Sequence, residues 1–287
     1  MKEDFDVCHI HLSTASNICP ILEAKRAKIP VVIAHSHSSK VEGSLYPKVL
    51  HIIYREKLKK LDILRFACSK AAGNFAFKNA EFTVMNNGID TARFDYNEAS
   101  REKIRKELNV GDDFVVGQVG RLVPVKNHSF TVELFEKLQK NCPESRLLIV
   151  GDGPLEEQIK TKTKELGISD KVIFTGNVRN PEEYFQAMDC LMIPSLFEGF
   201  PLTVVEGICS GLCCFVSDKV PGEVKISDLV EFIPLDGDMN MIADTVLKAK
   251  DVPRVSQAET LKDIGFDADK CVKDIENVYL YSVTGGN

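Results

Sequence analysis

Short apolar runs alternate with segments of helical periodicity along almost the whole of this 287-residue chain. Residues 30–34, 114–120 and 146–150 are runs of this kind, and each has the length of a buried strand. The alternation is typical of βαβ units, in which helices cover both faces of a parallel sheet. The sequence therefore predicts an α/β fold made of two Rossmann-like parallel-sheet domains.

The alternation is interrupted once, by a polar stretch over residues 91–107, which we predict to link the two domains. The net charge also differs between nearly the same two parts of the chain, since it is +4 over residues 1–96 and −10 over residues 97–287. A break at Gly265 precedes a last helical pattern. We therefore predict a first domain at residues 1–92, a second at residues 93–264 and a terminal helical segment at residues 265–287.

Charge and cysteine content indicate which partners and which cellular compartment to expect for this protein. The net charge of −6 argues against nucleic-acid binding, which calls for a strongly basic face. The nine cysteines lie mostly in apolar runs and lack the spacing of a zinc ribbon, which is typical of buried, reduced thiols in the cytosol. We therefore expect a cytoplasmic protein. A basic helical stretch at residues 54–60 leaves two alternatives, which are peripheral contact with the inner membrane surface and an ordinary solvated helix face.

Two carboxylates mark the most informative stretch, residues 194–211, which reads PSLFEGFPLTVVEGICSG and contains Glu198 and Glu206. The apolar run just before it predicts a strand, and Pro201 suits the first position of a following helix. Glu198 then lies in the loop, and Glu206 about one turn into the helix. Free N–H groups at a helix start suit a phosphate, and carboxylates accept hydrogen bonds from sugar hydroxyls.

This stretch resembles the E-x7-E signature of retaining glycosyltransferases of the GT-B fold, specifically family four. Four further segments match that family in the same order, namely HSH from His35, NGID from Asn87, GRLVPVKN from Gly120 and GDGP from Gly151. Together they span nearly the whole chain, and their combination is specific although no single segment is. The resemblance implies two Rossmann-like domains, a nucleotide-diphosphate sugar as donor, and neither a cofactor nor a metal ion.

The resemblance also implies roles for individual residues. Arg121 and Lys126 would bind the donor diphosphate and stabilise its charge as it leaves, which suits a forked guanidinium and an ammonium point charge. Glu206 would bind the ribose hydroxyls, and Glu198 would lie close to the donor sugar. The remaining donor contacts would come from Gly120 in the diphosphate loop, Gly199 and Phe200 at the sugar, Pro201, Leu202 and Thr203 at the phosphate, and Asn177 and Val178 beside the base.

More than one histidine fits the position beside the donor sugar. The family often places a histidine after a strand of the first domain, beside the reacting sugar carbon. His37 aligns best with that position, but a small shift of the alignment selects His35, and both stay open. His9 and His11 alternate on one predicted strand, and we expect structural roles for them rather than a metal pair, because no acidic or cysteine partner is close in sequence.

The implied function is transfer of a sugar from a nucleotide-diphosphate donor to a hydroxyl of a glycan or lipid-linked acceptor, with retention at the anomeric carbon. The resemblance suggests bacterial surface or exopolysaccharide synthesis. Residues 1–92 resemble only the back half of a first GT-B domain, so we expect that domain to be truncated. The alternative is a catalytically impaired nucleotide-sugar-binding fragment. An epimerase of the same fold is disfavoured, since it would need a different set of carboxylates and histidines.

Overall fold

The computed structural model describes residues 5–41 and 44–284, so residues 1–4 and 42–43 of the predicted first domain and residues 285–287 of the predicted terminal segment lie outside the described part. The chain divides into two compact units. The first comprises Met1–Gly88, Phe197–Phe200 and Gly265–Asn287, and the second comprises Ile89–Leu196 and Pro201–Ile264. The first unit therefore includes a four-residue piece of the carboxylate stretch.

The first unit begins with strands and helices in alternation. In chain order they are β1 (Val7–Leu12), α1 (Cys19–Arg26), β2 (Val31–Ser36), α2 (Leu45–Lys60), β3 (Leu64–Ala67), α3 (Lys70–Phe77) and β4 (Thr83–Val84). Within the described residues the strands form one parallel sheet in the order β1-β2-β3-β4. Ile21 of α1, Leu58 of α2 and Phe77 of α3 are fully buried in one core cluster with residues of β2, so the three helices share a single core with the sheet.

The second unit repeats the alternation on a larger scale. Its elements are α4 (Thr91–Phe94), α5 (Glu98–Glu107), β5 (Phe114–Val119), α6 (His128–Asn141), β6 (Ser145–Val150), α7 (Glu156–Glu165), β7 (Val172–Phe174), α8 (Pro181–Ala187), β8 (Cys190–Ile193), α9 (Leu202–Cys209), β9 (Cys213–Ser217), β10 (Val230–Ile233), α10 (Met239–Leu247) and α11 (Ala258–Asp263). All described strands are parallel, in the order β10-β9-β8-β5-β6-β7. This is the order of a doubly wound sheet, whose direction of growth reverses between β5 and β8. The predicted α/β class with two parallel sheets is thus confirmed.

The polar stretch at residues 91–107 is not a linker, and that prediction is wrong. The side chains of Asp90 and Asn97 cap α4 and α5, accepting hydrogen bonds from backbone N–H groups at 3.0 and 2.8 Å. Arg105 of α5 is buried and donates to the Ala187 carbonyl at 2.7 Å. The same guanidinium lies 3.3 Å from the Asp189 carboxylate. The two caps are local, but Arg105 anchors this segment in the second unit, because Ala187 and Asp189 lie more than 80 residues further along the chain.

The last helix, α12 (Ala268–Thr284), follows Gly265, whose φ of +86° is a conformation that favours glycine. It belongs to the first unit, where Val278 and Tyr279 pack against Ile33 and Phe66 of the sheet. Over residues 5–41 and 44–284, no helix combines the length and the apolar character that crossing a membrane requires.

Candidate functional site

The loops after β5 and β8 meet at the point where the second sheet reverses direction. The backbone N–H of Leu196, after β8, donates to the carbonyl of Val125, after β5, at 2.9 Å. In open parallel sheets, ligands bind at the carboxyl ends of the strands next to such a reversal. A ligand site of the second unit is therefore expected at this edge of the sheet.

The loop after β5 presents two cations to this edge. Arg121 is exposed, whereas Lys126 is half-buried on the short 3₁₀ turn Pro124–Lys126. The Gln118 side-chain amide holds this turn by donating to the Lys126 carbonyl at 2.8 Å. The Lys126 stem passes over Gly120, since a Cβ built there would lie 3.6 Å from the lysine Cε. Gly120 has a φ of +146°, so both its conformation and its small size suit this close passage.

The GDGP turn after β6 packs directly against the backbone of the loop after β5. A Cβ on Gly151 would lie 2.3 Å from the carbonyl oxygen of Gly120, and one on Gly153 would lie 2.5 Å from that of Leu122. In addition, the Leu122 N–H donates to the Asp152 carbonyl at 2.7 Å. The glycines thus let two backbones touch, and a structural role for this turn accounts for them without any bound ligand.

The residues expected beside a base, Asn177 and Val178, follow β7 at the same edge. The carbonyl of Gly176 accepts a hydrogen bond from the Gly151 N–H at 3.0 Å, which joins this loop to the GDGP turn. Asn177 is exposed and Val178 is half-buried. Both are thus accessible at the carboxyl edge, and their role stays a prediction.

Glu206 lies on α9, about one turn from its start, as the sequence predicted. Pro201 caps this helix and is not its first residue, because its ψ of 111° is extended. The N–H groups of Leu202 and Thr203 precede the first backbone bond of the helix, which runs from Val204 to the Pro201 carbonyl. These two N–H groups are therefore the first of α9, and they lie at the end of the helix where its dipole is positive.

The environment of Glu206 is unusual for a carboxylate. Burial raises the pKa of Glu206 to about 7, and the nearby charges of Lys126 and Arg93 oppose that increase. Glu182 raises the pKa further, and it forms an ion pair of 2.9 Å with Arg93. The second unit therefore brings the Glu206 carboxylate within electrostatic reach of Lys126. The sequence reading missed Arg93 and Glu182, because neither belongs to a motif.

The other part of the carboxylate stretch, Phe197–Phe200, is held by the first unit. The Ser39 hydroxyl donates to the Glu198 carbonyl at 2.6 Å, and the Ser69 hydroxyl donates to the Gly199 carbonyl at 3.0 Å. A Cβ on Gly199 would lie 2.3 Å from the carbonyl oxygen of His37. The segment therefore lies directly against the loops after β2 and β3. As a result, the backbone that carries Glu198 is next to the backbone that carries His37.

Two aromatic contacts complete this attachment. The rings of Phe200 and Phe266 stack with centroids 5.4 Å apart, and the Lys40 ammonium lies 4.8 Å from the centre of the Phe197 ring. The sequence reading did not single out Ser39 or Ser69. Ser69 is recognisable only as the cap of α3, where its oxygen accepts from the Ala72 N–H at 3.1 Å. Nothing in that signal points to Gly199, which is 130 residues away.

Four histidines lie together on β1 and at the end of β2. The ring nitrogens of His9 and His35 are 3.2 Å apart, and those of His11 and His37 are 2.7 Å apart. His35 is buried within its strand, whereas His37 is half-buried just beyond it. Burial, followed by the neighbouring histidines, lowers the pKa of His35 to about 3 and that of His9 to about 4. The same causes lower the pKa of His37, so these three rings are neutral at pH 7.

The profile of the family Glycosyl transferases group 1 matches residues 100–257, more than half of the chain. The chain belongs to this family. The matched region contains Arg121, Lys126, Glu198 and Glu206, so it includes both halves of the carboxylate stretch. The resemblance drawn from the motifs is thereby confirmed at the level of the glycosyltransferase family.

Bacterial glycosyltransferases are among its relatives. EpsF of Bacillus subtilis (strain 168), which is named as a candidate glycosyltransferase, is 29% identical over 97% of this chain and 75% of its own length. An Escherichia coli enzyme named UDP-Gal:α-D-GlcNAc-diphosphoundecaprenol α-1,3-galactosyltransferase is 26% identical over 97% of this chain and 76% of its own length.

Solved glycosyltransferase structures share the fold. HepE from Anabaena, solved in complex with UDP, superimposes with a TM-score of 0.79 over 95% of this chain and 78% of its own, at 20% identity. Sucrose-phosphate synthase from Thermosynechococcus elongatus has a TM-score of 0.79 over 99% of this chain and 75% of its own, at 17% identity. The two parallel sheets are therefore those of GT-B glycosyltransferases.

Proposed function

We propose that this chain transfers a sugar, with retention, from a nucleotide-diphosphate donor to a hydroxyl of a glycan or lipid-linked acceptor, in the synthesis of a bacterial surface or exopolysaccharide. One observation carries the proposal, namely that Lys126, Glu206 and the N-terminus of α9 converge at the carboxyl edge of one doubly wound sheet. A cation and a helix N-terminus suit a diphosphate, while the carboxylate suits two ribose hydroxyls.

The nucleotide part of the donor is assigned to the second unit. Lys126 and the exposed Arg121 neutralise the diphosphate, and the N–H groups of Leu202 and Thr203 donate to its oxygens. Because these groups supply positive charge in fixed positions, the proposal requires no metal ion. Glu206 accepts hydrogen bonds from the ribose hydroxyls. Asn177 and Val178 border the base. Gly120 belongs to the loop that binds the diphosphate.

The transferred sugar is assigned to residues of the first unit. Glu198, His37 and the N–H groups of Gly199 and Phe200 bind it, and we assign His37 rather than His35 because His35 is buried inside its strand. In the proposed reaction the acceptor oxygen bonds to the anomeric carbon on the face from which the diphosphate leaves. The bond from that carbon to the phosphate oxygen breaks, and the leaving phosphate takes the acceptor proton.

The names of relatives support the classes of donor and acceptor. HepE was solved with UDP and with UDP-glucose. The Escherichia coli relative is named for a UDP-galactose donor and an acceptor linked to undecaprenol diphosphate. A uridine nucleotide and a lipid-linked acceptor are therefore the first reagents to try. Chemistry of this kind starts from cytoplasmic sugar nucleotides, so we propose a cytoplasmic location.

The direct test uses the whole chain, UDP-glucose and UDP-galactose, each with excess EDTA. We expect calorimetry to show that UDP binds equally with and without EDTA, and NMR of the product to show the anomeric configuration of the donor. Absence of UDP binding under both conditions contradicts the proposed donor site. Binding without transfer to any glycan or lipid-linked acceptor favours the alternative of a nucleotide-sugar-binding protein.

Peripheral contact with a membrane is also part of the proposal, and α2 supports it. Leu45, Val49, Ile52 and Ile53 lie on one face of this helix at helical spacing, and their exposed fractions are 74, 43, 55 and 56%. Lys57, Lys59 and Lys60 stand in its last turn. Apolar side chains flanked by cations are the pattern of a helix that rests on an anionic lipid surface.

We expect the chain to sediment with vesicles of phosphatidylglycerol and phosphatidylcholine, and much less with phosphatidylcholine alone. The double variant Ile52→Ser/Ile53→Ser removes two apolar anchors and weakens this binding about tenfold, which corresponds to about 1.4 kcal/mol of lost apolar burial. Met241→Ser is the matched control, because Met241 is 70% exposed on α10 of the second unit. Equal binding by the double variant and the control would exclude α2 as the contact.

A further inference from the structure

The histidines of β1 and β2 form a cluster that the proposed transfer reaction does not fully use. The strands pair in parallel with His11 opposite His35, and His9 lies two residues before His11. Residues at this spacing share one face of a sheet. One ring nitrogen from each of His9, His11 and His35 lies within 4.8 Å of the corresponding nitrogen of the other two.

The buried member of this trio has an unsatisfied polar atom. His35 is 3% exposed, and its Nε2 has no hydrogen-bond partner among the described residues. Buried polar atoms are nearly always paired, and an orphan calls for an explanation such as an unseen ion. The other ring nitrogen of His35, Nδ1, lies 3.2 Å from His9 Nε2, and a 180° turn of the ring exchanges its nitrogen and carbon positions, so either nitrogen can be turned toward the cluster.

Outer partners already orient two of the three rings. The Tyr279 hydroxyl lies 2.5 Å from His9 Nδ1, and His37 Nε2 lies 2.7 Å from His11 Nδ1. Histidines that bind metal ions typically use their second nitrogen in this way, which fixes the ring and leaves the first nitrogen for the metal. His11 is exposed, so an ion reaches the cluster directly from solvent.

We propose that His9, His11 and His35 bind one divalent transition-metal ion of the Zn²⁺ class. Three imidazoles with no carboxylate suit Zn²⁺, Ni²⁺ or Cu²⁺, whereas Mg²⁺ and Ca²⁺ prefer oxygen ligands. A tetrahedral zinc ion bound at 2.0–2.1 Å sets its ligand nitrogens about 3.4 Å apart. The three rings are nearly parallel, with interplanar angles of 16, 20 and 32°, so they must rotate to direct their nitrogens at one ion. Water fills the fourth position. None of the three residues is assigned to the donor, so the metal site stands or falls independently of the proposed transferase function.

Calorimetry on the EDTA-treated, desalted full chain tests the site, with Zn²⁺ as the probe. We expect saturable binding of one ion per chain and an increase in the midpoint of thermal unfolding. His11→Gln is the decisive variant, because His11 is exposed and its replacement leaves the core packing intact. We expect it to bind Zn²⁺ about 100-fold more weakly or worse. Cys19→Ser is the control, since Cys19 is an exposed thiol and an alternative zinc ligand.

Cobalt provides a second readout, because Co²⁺ in a tetrahedral nitrogen site absorbs visible light far more strongly than the hydrated ion. We expect this absorption in the wild-type chain and in Cys19→Ser, and its loss in His9→Gln/His35→Gln, whose folding circular dichroism would check. Absence of saturable binding of Zn²⁺, Ni²⁺ or Cu²⁺ by the wild-type chain overturns the proposal. Equal Zn²⁺ affinity of His11→Gln and the wild type overturns it as well.

Discussion

Replacing Lys126 with alanine is expected to weaken UDP binding about 12- to 160-fold, which corresponds to about 1.5–3 kcal/mol for hydrogen bonds to a charged group. Lys126 is half-buried beside Gly120, so water screens its charge less than that of a surface lysine. Its loss also removes a charge that lowers the pKa of Glu206. The variant therefore weakens the ribose contact at neutral pH in addition to the diphosphate contact.

Calorimetry with UDP and with uridine, both in EDTA, separates these two effects. At pH 8.5, where Glu206 is ionised in the wild type, we expect Lys126→Ala to affect UDP far more than uridine. Arg121→Ala should show a smaller loss, since Arg121 is exposed. Lys140→Ala is the matched control, because Lys140 is an exposed lysine that pairs with Glu136 on α6. A loss for Lys140→Ala as large as that for Lys126→Ala would show that net charge alone is responsible.

Replacing Glu206 with alanine is expected to abolish measurable uridine binding, whereas Glu198→Ala leaves it unchanged. Glu206 is assigned to the ribose, which uridine contains, and Glu198 to the transferred sugar, which uridine lacks. Glu198→Ala should instead reduce the advantage of UDP-glucose over UDP. Competition among uridine, UDP and UDP-glucose measures both effects, and equal losses of uridine binding in the two variants would refute the assignment.

The raised pKa of Glu206 adds a pH dependence whose sign is fixed. With a pKa of about 7, the carboxyl group is mostly protonated at pH 6 and mostly ionised at pH 8. Only the ionised form accepts hydrogen bonds from both ribose hydroxyls, so uridine should bind about tenfold more tightly at pH 8 than at pH 6. Uridine carries no phosphate to titrate in this range. Glu206→Gln should bind it weakly with no such dependence, and a pH dependence retained in this variant would assign the titration to another group.

Local patterns in the sequence were sufficient for most of the fold. The apolar runs at residues 30–34, 114–120 and 146–150 predicted β2, β5 and β6, and the loop-and-helix pattern around Pro201 predicted the positions of Glu198 and Glu206. These features depend on the spacing of neighbouring residues, which the sequence displays directly. The helices α4, α5, α10 and α11 were not predicted. In α5 the polar composition hides a buried arginine whose partners, at Ala187 and Asp189, are more than 80 residues away.

By itself, then, the sequence determined the α/β class, the order of the strands along the chain, and the motifs that identify a glycosyltransferase. The tertiary structure alone decided which of those motif residues meet. The order of the strands places Lys126 near Glu206. The hydroxyls of Ser39 and Ser69 bind the carbonyls of Glu198 and Gly199 in the first unit. The register of β1 against β2 places the histidines side by side. The physical reason is that periodicity is a property of adjacent residues. Proximity between distant ones depends instead on how the sheets pair and on which buried polar groups find partners.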